Sequence, residues 1–74
     1  MDIQQIWQPE PGGLISADMG QFRLVVRAPE TDGYVRFLVV ENRKSRDKLV
    51  ASGTEDSVNA AKAAAERMAT RFSN

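Results

Sequence analysis

The chain of 74 residues contains neither cysteine nor histidine. Without thiols there is no disulfide framework and no sulfur nucleophile, and without imidazole the usual zinc ligands and the commonest proton shuttle at neutral pH are missing. An enzyme made from this chain would have to rely on carboxylates, and turns and helix starts already account for most of them. Asp18, Glu30, Asp32 and Asp47 fall in turns, while Glu55 and Asp56 fall in the first turn of an expected helix. No loop shows the alternating oxygen ligands of a calcium hand, and no glycine-rich cradle leads into a helix to hold a nucleotide phosphate. The sequence therefore predicts a non-enzyme with no metal and no cofactor.

Net charge is also lacking. Ten Lys plus Arg balance ten Asp plus Glu, so bulk electrostatics draws the chain to neither nucleic acid nor acidic lipid. No run nears the roughly 18 apolar residues of a membrane span, and residues 1–10 have neither a basic leader nor an apolar signal core. A cytoplasmic product without membrane contact is expected. The hydrophobic share of 42% and charged share of 27% are those of a globular chain, not a disordered one. A length below the usual ~100–150 residues of a domain leaves room for one sheet and one or two helices.

Periodicity supplies the elements. Between residues 54 and 72, Val58, Ala61, Ala65, Met68 and Phe72 recur at steps of 3, 4, 3 and 4, the repeat of an amphipathic helix. Gly53, a capping Thr54 and the acids Glu55 and Asp56 mark its expected start. The alanines at 60, 61, 63, 64 and 65 favour helix and allow close approach to a sheet. Upstream the period drops to 2: Phe22, Leu24, Val26 and Ala28 alternate with Gln21, Arg23, Val25 and Arg27, which predicts a strand. Residues 29–33, Pro-Glu-Thr-Asp-Gly, read as a turn. Further strands are expected at 34–41 and 49–52, and an edge strand at 14–17 with Asp18, Met19 and Gly20 as its hairpin turn. Residues 1–13, with Pro9, Pro11 and a Gly pair, read as an amino-terminal arm. The expected architecture is α+β: an antiparallel meander of three to four strands over residues 14–74, with one carboxyl-terminal helix on one face.

That arrangement leaves apolar residues over. If Phe22, Leu24, Val26, Val35, Phe37 and Val39 meet the helix, then Arg23, Val25, Arg27, Arg36, Leu38 and Val40 point away from it. One helix covers one side of a sheet. The arm, with Ile3, Ile6 and Trp7, is one candidate cover for the other side; a second protein, either a twin subunit or an unrelated partner, is another. Arginine suits such a surface because it combines an apolar stem with planar donors and charge.

Neutrality overall also hides an uneven distribution. Residues 1–33 carry two basic and five acidic side chains, whereas residues 34–53 carry five basic and two acidic. Arg43, Lys44, Arg46 and Lys48 cluster in one connection, where they could meet phosphates or acidic groups of a partner, or simply be solvated.

At the junction of the last strand and the helix, Gly53, Ser57, Ala61, Lys62, Ala64 and Ala65 resemble the carboxyl-terminal half of a double-stranded-RNA-binding domain, over residues 22–72. The resemblance implies a strand meander followed by a helix, with lysines of the helix start on phosphates across the major groove. Lys62 stands at the third of those lysine positions, while Val58 and Asn59 stand at the two leading ones. The chain is also similar to small strand-rich bacterial and prophage proteins that end in one helix, some of them inhibitors of larger machines.

The functional expectation is a non-catalytic protein that binds another protein, itself or both through Arg23, Val25, Arg27, Arg36, Leu38 and Val40. The alternative is a nucleic-acid-binding module using Arg43, Lys44, Arg46, Lys48 and Lys62.

Overall fold

The computed structural model describes residues 6–27, 33–44 and 46–72. Most of the turn read at 29–33, and Ile3 of the arm, lie outside the described residues. Five strands, β1 (Gln8–Glu10), β2 (Leu14–Met19), β3 (Phe22–Arg27), β4 (Val35–Asn42) and β5 (Asp47–Glu55), precede one helix, α1 (Val58–Phe72). The strands form a single antiparallel meander in the order β1-β2-β3-β4-β5. The α+β class and the carboxyl-terminal helix are as expected, and the sheet has five strands where three or four were anticipated. The additional strand is β1, so the sheet begins inside the segment read as an arm.

Alternation sets the two faces of β3 and β4. Phe22, Leu24, Val26, Val35, Phe37 and Val39 are all buried on the helix side. The hairpin joining β2 to β3 closes through Gly20 and Gln21, since Met19 pairs directly with Phe22. Gly20 takes φ of 63° while no other residue type has positive φ among the described residues, the pattern of a type II′ turn with glycine first. Asp18 and Met19, expected in the turn, therefore belong to β2. Its pairing with both β1 and β3 makes β2 an interior strand rather than an edge.

The helix buries Ala61, Ala64, Ala65 and Ala69 against the sheet, with Val58 and Met68 packed at the margin. Phe72, expected in the same stripe, is exposed at 46%. Small side chains let the helix backbone come close to the large residues of the sheet, so the volume of this core is supplied from the strands. The start of the helix lies later than the sequence suggested. Ser57 Oγ accepts the Ala60 backbone N–H at 3.1 Å, making Ser57 the cap, while Thr54 and Glu55 are still in β5. No acid occupies the first turn.

Gly53, read as a helix-start signal, is instead a packing position. It pairs with Phe37, and a Cβ placed on it would lie 2.8 Å from Phe37 Cζ and 2.9 Å from Cε1. The phenyl ring occupies the space that any larger residue at 53 would fill.

Candidate functional site

The helix lies mainly over β3, β4 and β5. Beyond it, toward β2, the same face is completed by Trp7 together with Ile15 and Met19. Trp7 Nε1 donates a hydrogen bond to Glu66 Oε2 at 3.0 Å, and Lys62 Nζ lies 5.7 Å from the centre of the indole ring, within cation–π range. The aromatic of the amino-terminal segment is thus spent on the helix side. Ile6 stands 77% exposed. Of the two covers considered for the outer face, Trp7 does not provide one.

That outer face can be built row by row from the strand register. Glu10, Leu14, Arg27, Arg36 and Thr54 form one row across the five strands. Gln8, Ser16, Val25, Leu38 and Ser52 form the next. Asp18, Arg23, Val40 and Leu49 form the third, across β2 to β5. All six residues expected to point away from the helix (Arg23, Val25, Arg27, Arg36, Leu38 and Val40) sit together here. Leu14 and Leu49 join them.

Leu49 could not be assigned to this face by counting. Val39 pairs with Ala51 but Val40 pairs with Leu49, so Val50 is an extra residue, a β-bulge that flips the alternation. Leu49 and Ala51, two apart in sequence, consequently face opposite ways. Leu14 carried a readable signal: it alternates with Ile15 in a strand whose inward residues are Ile15, Ala17 and Met19.

The result is an apolar strip, Leu14, Val25, Leu38, Val40 and Leu49, bordered by three arginines. Leu38 is 39% exposed and Leu49 56%. A shallow depression of about 290 Å³ runs between Leu14, Val25 and Leu38, with Gly12, Arg27 and Arg36 at its rim. A second, of about 230 Å³, continues it past Leu14 and Val25 to Glu10, Pro11, Ser16 and Arg23. Ser16 at the foot of this depression is buried, and its hydroxyl donates to Glu10 Oε2 at 3.1 Å. The mixture of branched aliphatics and arginine, with Glu10, Asp18 and Asp47 toward its margins, suits an apolar contact ringed by charge.

The basic connection is arranged differently. Arg43 forms an ion pair with Glu41, its Nη2 3.0 Å from Oε1, and Gln21 Nε2 donates to the other carboxylate oxygen at 2.8 Å. Arg43, Arg46 and Lys48 surround a depression that also includes Asp47 and Leu49. Lys44 is exposed beside it. Lys62 is held at the Trp7 ring and does not line that depression.

Among the described residues, no helix is long and apolar enough to cross a membrane, and no group of three or more carboxylates is gathered as a metal site would require. No protein-family model, curated protein or solved structure matches the chain. What the outer face does has to be read from its own chemistry.

Proposed function

We propose that the chain is a non-catalytic binding protein that docks another protein on the outer face of its sheet. The observation that carries this reading is the contrast within two adjacent strands. Residues 22–27 and 35–40 bury one set of side chains under the helix while presenting Val25, Leu38 and Val40, flanked by Arg23, Arg27 and Arg36, on the other side. Partner surfaces that match are apolar at the centre and acidic at the rim, because the arginines surround the aliphatic strip and gain most from carboxylates. A contact of this kind needs no chemistry, only shape and exclusion of water, which is the action of an inhibitor or accessory of a larger assembly.

The nucleic-acid reading receives less support. Two of its five cations are already engaged, Arg43 by Glu41 and Lys62 by Trp7, and Asp47 sits among the rest.

The test combines a double variant with methyl spectroscopy. Leu38→Ser with Val40→Ser should abolish retention of a partner that the wild-type chain captures, with helix content unchanged. On adding that purified partner, the methyl resonances of Val25, Leu38 and Val40 should shift while those of Leu24 and Val39 stay in place. Shifts confined to residues 43–48, or retention of duplex nucleic acid that weakens steeply with salt, would replace this reading with the nucleic-acid one.

A further inference from the structure

The two edges of the sheet are unlike. At one end β1 is three residues long with Pro9 at its centre, and a proline cannot donate to a further strand. At the other end β5 runs for nine residues without proline, and its only strand neighbour among the described residues is β4. Natural sheets blunt exposed edges with charge and bulges. Here Lys48 and the bulge at Val50 do so for the first half of β5, and Ala51, Ser52, Gly53, Thr54 and Glu55 remain regular beyond it.

The hydrogen-bond phase identifies which backbone groups are open. The Asn42 N–H donates to the Gln21 carbonyl at 2.8 Å, so Arg36, Leu38, Val40 and Asn42 direct their backbone groups to β3. Val35, Phe37 and Val39 then direct theirs to β5, where they meet Glu55, Gly53 and Ala51. Ser52 and Thr54 are left with N–H and C=O aimed at the open edge.

We infer that a second copy of this chain pairs there, β5 against β5, antiparallel about a two-fold axis through Gly53. In that register Ser52 faces Thr54 of the other copy and the reverse, which satisfies all four open N–H and C=O pairs. The two Gly53 residues meet at the non-hydrogen-bonded position, where Cα atoms approach to about 4.5 Å and small residues fit best. Antiparallel pairing also separates like charges: Glu55 stands opposite Ala51 of the other copy, whereas an in-register parallel pairing would set Glu55 beside Glu55 and Lys48 beside Lys48. A closed two-fold dimer follows. Its ten-stranded sheet keeps both helices on one side and joins the two outer faces on the other. This goes beyond the proposed docking role and does not depend on it, since the edge and the face are separate surfaces.

Edge pairing of this extent buries little area, so the dimer should be weak and dependent on concentration. Sedimentation and light scattering over a dilution series should show monomer passing to dimer. Thr54→Pro removes an outward N–H that no strand of the same chain uses, and should weaken the dimer at least about tenfold with helix content unchanged. In the wild-type chain, which needs no variant, amide exchange at Ser52 and Thr54 should slow as concentration rises. The Leu38→Ser, Val40→Ser variant should dimerise like the wild type even where it has lost its partner. A chain that stays monomeric at millimolar concentration would overturn the inference. So would a dimer indifferent to Thr54→Pro, one that leaves exchange at Ser52 and Thr54 unchanged, or one dissolved by the Leu38 and Val40 changes.

Discussion

The two sides of β3 and β4 carry side chains of similar size to opposite ends. On the helix side Leu24 and Val39 are completely buried, pressed by a helix whose contact residues are mostly alanine. On the other side Leu38, next in the chain to Phe37, keeps 39% of its surface. The strands differ in part, since the helix side is wholly apolar while the other mixes Val25, Leu38 and Val40 with three arginines, but large aliphatics stand on both faces and what lies over them decides their burial. A single 15-residue helix spans about 22 Å at 1.5 Å per residue, and it reaches β3 to β5 on one side only. The molecule is correspondingly thin, 35 × 33 × 19 Å, the depth of one helix on one sheet. Under the proposed docking role, the apolar surface left outside the core is where a partner would lie.

The sharpest challenge to the buried side is at Gly53. Gly53→Ala puts a methyl group within 3 Å of the Phe37 ring and should cost about 1–3 kcal/mol by overpacking. Denaturant unfolding measures it, and a neutral result would show that the ring is not wedged over the strand. A smaller loss is expected at the flank of the helix. Trp7→Phe keeps an aromatic ring but removes the donor to Glu66, for a destabilisation of about 1 kcal/mol. An unchanged midpoint would indicate that the amino-terminal segment is not fastened to the helix.

Much of this division was legible in the chain. Strict alternation over residues 22–26 and 35–40 assigns each side chain to a face without reference to the rest of the fold, because a strand has a period of 2. The same rule does not reach across β5, where the bulge at Val50 inserts a residue and sends Leu49 outward; a bulge is fixed by pairing, which local pattern does not record. β1 escaped notice because Gln-Pro-Glu has no apolar rhythm, and its strand geometry comes from lying against Ser16, Ile15 and Leu14. The helix cap was misplaced because Thr54, Glu55 and Asp56 form as plausible a start as Ser57 does. Pairing of Thr54 with Arg36 and of Glu55 with Val35 decides the matter. Trp7 could not be placed by sequence at all, since its partners Lys62 and Glu66 are distant along the chain.

The most direct measurement compares neighbours. Phe37→Ser and Leu38→Ser change adjacent large apolar residues to the same small polar one, and differ only in the face they occupy. Urea unfolding of the two variants should show a loss of at least about 3 kcal/mol for Phe37→Ser, or no folded protein at all, against less than about 1 kcal/mol for Leu38→Ser. Equal losses at the two positions would mean that both faces are interior, and the docking surface would not exist.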